Sequence, residues 1–184
     1  MSKVKHHIIL NKSQIQVDGT NLDVKHSFDG LKSFLSFLYK YLNLDYPKYH
    51  KMDNLSKLGF IGVEFLKSKI DLSTYKDDEI AMHFQNASAS LDTDRLHQQN
   101  INEGKAASPA NFVYTLPNIV LGEIAIRNKW YGENLFLLKD AFDYNQWMKT
   151  NEVLFRRNKA NLVIGGWVEV LEEDFELQLY LIEK

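Results

Sequence analysis

The chain contains no cysteine. That absence excludes a disulfide framework, a thiolate metal site and a cysteine nucleophile together. It is compatible with the cytoplasm, which is the expected location. There is also no excess of charge of either sign: the formal net charge is −2. Nothing global therefore favours nucleic acid or an anionic membrane, and neither is expected as a partner. Long apolar runs are missing too. The amino terminus is basic but has only Ile8, Ile9 and Leu10 in succession, too few for a signal peptide or a membrane span. His6 and His7 read either as a tag remnant or as the start of a buried strand. What is present is 45% hydrophobic and 12% aromatic residues in 184 positions. A chain of this size buries roughly 70% of its unfolded surface, so its core needs neither disulfide nor metal.

The periodicities predict alternating strands and helices. Residues 6–17 read as extended with a polar break, followed by a turn at Asp18-Gly19. Leu31, Phe34, Leu35, Leu38, Tyr41 and Leu42 recur at helical spacing over 29–43, with Asp29 as the candidate cap. Pro47 closes that segment, and 45–51 reads as a loop. A second helix, 53–68, has an apolar stripe of Leu55, Leu58, Phe65 and Leu66, while Gly59 and Gly62 permit close backbone approach. Strand 79–85 runs into the small, polar stretch NASASLDTD. Then come a helix at 91–103, a loop at 104–115, a helix at 117–129 opened by Pro117, and a short apolar strand at 134–139. An amphipathic helix follows at 143–158. Strands 160–170 and 175–182 are joined by the acidic turn Glu172-Glu173-Asp174. This alternation predicts an α/β fold with a mostly parallel sheet, and the tight final turn makes the last strand antiparallel.

Three local motifs carry a resemblance. Lys51-Met52-Asp53 opens a helix. Ser108-Pro109, Phe112, Thr115, Pro117-Asn118 and Gly122 follow in order, and Gly132-Glu133-Asn134 enters a strand. Together with Ile164-Gly165-Gly166, they resemble the amino-terminal half of the β-ketoacyl-acyl-carrier-protein synthases of the thiolase superfamily. The likeness extends over roughly residues 50–184 and takes in a group of short bacterial 3-oxoacyl-ACP synthase proteins. It implies half of a thiolase-like fold: one domain over 1–184 with a five-stranded mixed sheet, order 3-2-1-4-5. The last strand is antiparallel, helices cover both faces, strand 3 lies at 134–139 and strand 5 at 175–182.

The resemblance also implies where chemistry would lie, and there the sequence departs. Counting from Gly132, the family's nucleophilic cysteine falls on Ala141. The family's two catalytic histidines lie in a second half beyond these residues. Condensation needs a thiolate to hold the acyl chain and imidazoles to stabilise the developing charge. A methyl group offers neither. The expectation is a non-catalytic partner in fatty-acid or polyketide biosynthesis, of the aryl-polyene pigment type among others, needing no cofactor. It would pair with itself or with a full-length ketosynthase and bind acyl carrier protein. By the same resemblance Ser108, Pro109, Phe112, Thr115, Pro117 and Asn118 would line an acyl pocket or an interface. Lys51 and Lys105 are either carrier-protein docking points or ordinary solvated lysines. The alternatives are an acyltransferase with a reassigned nucleophile, Ser88 or Ser90, and a self-associating acyl-binding module. Ser88 and Ser90 read equally as turn residues that cap the next helix. Asp92 and Asp94 read as a cation pair or as first-turn acidic residues. Asp140 could cap helix 143–158. His83 reads as a hydrogen-bonded core histidine rather than a ligand, and Glu123 faces either a polar pocket or a partner.

Overall fold

Every residue of the strand Ile80–Asn86 is buried. Its apolar sequence suits a strand covered on both faces. A computed structural model describes residues 2–23, 28–106 and 108–184. Residue 107 of the expected 104–115 loop lies outside them. In chain order the elements are β1 (Lys3–Asn11), β2 (Gln14–Val17), β3 (Thr20–Asn21), α1 (Gly30–Tyr41), α2 (Asn54–Lys67) and β4 (Ile80–Asn86). They continue with α3 (Leu91–Asn102), α4 (Pro109–Val113), α5 (Ile119–Asn128), β5 (Asn134–Leu138), α6 (Tyr144–Arg156), β6 (Leu162–Leu171) and β7 (Asp174–Glu183). Short 3-10 turns occupy Pro47–Lys51 and Leu72–Thr74, so the expected loop at 45–51 is partly helical.

The strands form one sheet in the order β3-β2-β1-β7-β6-β4-β5. β4 pairs parallel with β5 and with β6. β7 runs antiparallel to β6, as the acidic turn requires. The sheet thus has seven strands rather than the expected five. The order also differs: β6, not the opening strand, lies beside β4, and β1 joins the far side of β7 as an antiparallel neighbour. The reason is visible in side-chain character. A strand in the middle of a sheet packed on both faces must be apolar on both. β6 meets that demand, with Leu162 to Val168 all buried. β1 does not, because Lys3, Lys5 and Asn11 alternate with its apolar positions. A strand with one wetted face belongs in the antiparallel part of the sheet, and there β1 folds back on β2.

One face of the sheet is covered by α1, α2 and α5, with Leu58, Phe60, Ile61, Phe84, Ile124 and Leu177 in the main core. α2 lies close on this face because its glycines leave room. A Cβ at Gly59 would stand 2.6 Å from Val120, and one at Gly62 would stand 2.6 Å from Leu177. The N-terminus of α1 is capped from outside its own segment. Asp29 makes no side-chain cap bond, and the Leu31 N–H donates instead to Glu173 Oε2 at 2.8 Å. The opposite face carries α6, whose Trp147 and Phe155 pack on Ala81, Val163 and Ile182.

Under α6 lies a buried polar group. His83 is 0% exposed. Its Nδ1 is 3.0 Å from Asn151 Oδ1, and its Nε2 is 3.1 Å from Gln85 Nε2. Asn151 Nδ2 is spent on Trp147 O, so Asn151 offers the ring an acceptor. The proton therefore sits on Nδ1, and Nε2 accepts from Gln85. Trp147 Nε1 donates to the His83 carbonyl at 3.0 Å. His83 is the hydrogen-bonded core histidine its sequence context suggests. Burial pushes its pKa down to about 4, with the Lys139 charge adding to the effect and the Asn151 bond opposing it.

A Cβ at Gly165 would stand 2.0 Å from the His83 carbonyl oxygen in the β4–β6 ladder. Gly165→Ala should cost about 3 kcal/mol or more in urea unfolding. Gly122→Ala, on α5 with nothing within 4 Å of the new methyl, should gain about 0.5–1 kcal/mol through helix propensity. An imidazole depressed from 6.5 to about 4 takes its proton more readily in the unfolded chain. Its share of stability is whole above pH 6.5 and is lost as pH falls toward 4. Between about pH 7 and about pH 4.5 the wild type should lose about 2–3 kcal/mol more than His83→Gln does. Urea midpoints at the two pH values measure the difference.

Candidate functional site

The β4 and β5 ends are tied together where the Lys139 N–H donates to Asn86 O at 2.9 Å. The chain then bends at Asp140-Ala141 and enters α6 at Tyr144. This is the strand-to-helix turn that the sequence anticipates. Its cap differs: Asp143, not Asp140, accepts the Gln146 N–H at 3.0 Å. Asp140 and Ala141 are exposed. The turn borders an aromatic group that spreads over this face of the sheet. Phe142 lies 6.2 Å from Tyr180 and 6.3 Å from Trp167, and Tyr144 lies 4.9 Å from Tyr180. At the other end of β5, Gly132 passes so close to β4 that a Cβ would stand 2.2 Å from Ile80 O. Glu133 O then accepts the Met82 N–H at 2.9 Å.

The Lys51-Met52-Asp53 motif opens α2 as expected. Asp53 Oδ1 accepts the Ser56 N–H at 3.0 Å, and Thr93 Oγ1 donates to Oδ2 at 3.0 Å. Burial pushes the Asp53 carboxyl upward, against the hydrogen bonds from Ser56 and Thr93. Met52 is buried and Lys51 is exposed. Lys105 is exposed too, and its ammonium lies 2.6 Å from Glu103 Oε2.

The segment 108–122 is held by its polar groups. Ser108 Oγ accepts the Asn111 N–H at 3.3 Å, and Pro109 starts α4, a helix within the expected loop. Tyr114 donates to Glu123 Oε1 at 3.0 Å, and Lys48 Nζ lies 2.8 Å from Glu123 Oε2. Glu123 thus faces a polar pocket formed by its own chain. Thr115 Oγ1 donates to Phe112 O, and Thr115 O accepts from Ser90 Oγ, each at 2.7 Å. Pro117 and Asn118 form the turn before α5, which begins at Ile119 rather than at Pro117. Tyr114, Val120 and Leu121 are buried, whereas Phe112 is 63% and Leu116 56% exposed.

Ser90 is 5% exposed, with its hydroxyl bound to Thr115 O and near Asp94. Asp92 accepts from Asn54 Nδ2 at 3.0 Å and from the Glu172 N–H at 2.8 Å. Asp92 and Asp94 therefore serve internal bonds. Among the described residues no group of His, Cys, Asp or Glu side chains could hold a metal ion. Nor is any helix among them long and apolar enough to cross a membrane. One contact has no forerunner in the sequence. Glu169 of β6 reaches the NASAS turn and accepts the N–H groups of both Ala87 and Ser88. No local pattern announces it, because the two segments meet only through β4–β6 pairing.

No family model and no curated sequence matches the chain. Solved structures do. A ketosynthase in complex with its chain length factor from Xenorhabdus doucetiae aligns with TM-score 0.67 and 13% identity, over 100% of this chain and 79% of that one. The ishigamide ketosynthase/chain length factor aligns with TM-score 0.66 and 13% identity, over 100% of this chain and 62% of that one. A type II polyketide synthase acyl-carrier protein in complex with its ketosynthase aligns with TM-score 0.64 and 12% identity, over 100% and 63%. The chain thus spans less than two thirds of the last two. Common topology at this low identity means shared architecture, and the architecture here is the thiolase-like, ketosynthase-related α/β fold.

Proposed function

We propose that this protein is a non-catalytic, ketosynthase-like partner in fatty-acid or polyketide biosynthesis. In this reading residues 1–184 act as one synthase-like domain. The observation that carries it is Ala141, at the strand-to-helix turn after β5 in a ketosynthase-related fold. A nucleophile there would sit between a strand end and a helix start, beside an aromatic lining. The methyl in its place cannot attack a thioester or ionise. Ser90 at the β4 end is not free to replace it. Ser90 spends its proton on a backbone carbonyl, and the His83 ring that could serve as a base is committed to Asn151 and Gln85.

Partnership is supported by two surfaces. β5 is an edge strand of sequence NLFLL, without the lysine or proline that usually protects an edge. Leu138 is 57% exposed. Antiparallel pairing about a two-fold axis at Phe136 would set Leu135 of one copy opposite Leu137 of the other, on one face. A full-length ketosynthase strand would fit the same edge. The second surface is the apolar side of 108–118, anchored by polar bonds beneath and open above. Lys51 and Lys105 are the proposed contacts for an acidic carrier protein. Neighbouring structures include ketosynthase–chain length factor pairs and a ketosynthase–carrier complex.

Tagged protein should co-purify with a ketosynthase or an acyl carrier protein from its native host, and recovery of neither overturns the reading. Alone, it should scatter light as a dimer at micromolar concentration. Leu138→Lys should weaken that dimer roughly tenfold or more by burying an unpaired charge. Incubation with acyl-carrier thioesters should leave the intact mass unchanged. A stable adduct at Ser88 or Ser90 would instead favour a reassigned nucleophile.

A further inference from the structure

We propose that the consecutive N–H groups of Ala87 and Ser88 form an anion site that Glu169 plugs from within the chain. A carboxylate with an apolar tail would displace the plug. The site is independent of the synthase reading and lies at the same end of the sheet as Ala141.

The two donors converge on one atom: Ala87 N is 2.7 Å and Ser88 N 3.2 Å from Glu169 Oε2. Successive backbone N–H groups that share one oxygen make an anion-binding concavity. The concavity is built without help from Glu169. Asn86, fully buried, donates from Nδ2 to Ala89 O at 2.8 Å and accepts the Ala89 N–H on Oδ1 at 3.1 Å. Ala89 takes a left-handed conformation, φ +51. These bonds fix the turn whichever anion fills it.

The plug is held loosely. Glu169 Oε1 is buried and has no hydrogen-bond partner among the described residues. Glu169 also stands directly opposite Glu176 on β7. Like charges facing each other across a ladder repel. The nearby cation, Lys12, is paired with Asp174 at 2.6 Å and does not relieve this. Swung into water, the Glu169 carboxylate would be solvated on both oxygens; the incoming carboxylate meets the Glu176 charge in its turn, so its advantage lies in its apolar tail. An incoming carboxylate would take the two N–H groups. Its tail would enter the adjoining cavity of about 600 Å³, where Trp167 and Leu171 supply apolar walls.

The test titrates isotopically labelled full-length protein with hexanoate and with acetate and follows the backbone amide resonances. Hexanoate should shift the Ala87 and Ser88 amides saturably, and acetate should do so more weakly. Glu169→Ala should bind hexanoate roughly tenfold tighter than wild type, because no plug competes. Glu169→Gln, which keeps the acceptor and loses the charge, should fall between the two and serves if the alanine variant does not fold. Equal affinity in wild type and variants overturns the proposal, as does a folded variant in which these two amides stay still.

Discussion

The structure hangs on the contact between β4 and β6 at His83 and Gly165, where no side chain larger than hydrogen fits. The His83 carbonyl and the Gly165 α-carbon lie side by side in a parallel ladder. The same carbonyl accepts the indole N–H of Trp147, so the contact also seats α6. Because β6 is drawn against β4, the opening strand is excluded from the sheet's middle and is placed beyond β7. β4 then has one remaining side, which β5 fills as an edge. The turn at Ala141 and the turn at Ala87–Ser90 therefore finish at the same end of the sheet. The small volume at Gly165 thus helps to position both turns.

Buried polarity at this contact is resolved rather than active. A histidine, an asparagine, a glutamine and a tryptophan satisfy one another, so the imidazole stays neutral in an apolar layer. A neutral ring with both nitrogens engaged holds geometry and has no capacity left for proton transfer. Beside the turn at Ala141 the same face of the sheet carries Phe142, Tyr144 and Tyr180 in ring contact.

The segment 108–122 shows the reverse arrangement. Thr115 O and the Tyr114 hydroxyl are turned inward, to Ser90 and Glu123, while Phe112, Val113 and Leu116 face out. The segment is tied down by hydrogen bonds and presents an apolar outer side. The β5 edge is a second place where groups able to pair are left open. The internal carboxylate at Ala87 and Ser88 adds a third feature, a polar site closed by the chain's own side chain.

The sequence by itself determined most of the elements, though not α4 or the 3-10 turn at Pro47–Lys51. Helical spacing located α1, α2, α5 and α6, alternation located the strands, and the acidic hairpin fixed the direction of β7. Motif order in 51–166 led to the ketosynthase-related architecture, and the absence of cysteine fixed what Ala141 cannot do. These are local properties, written in neighbouring residues. Only the tertiary structure decided strand order, the cap of α1 by distant Glu173, the inward pairing of Glu123 and the bond from Glu169 to Ala87 and Ser88. Each of those depends on which segments become neighbours in space. That choice is made by burial on both faces of β6 and by the room left at a glycine, and neither is visible in a window of a few residues.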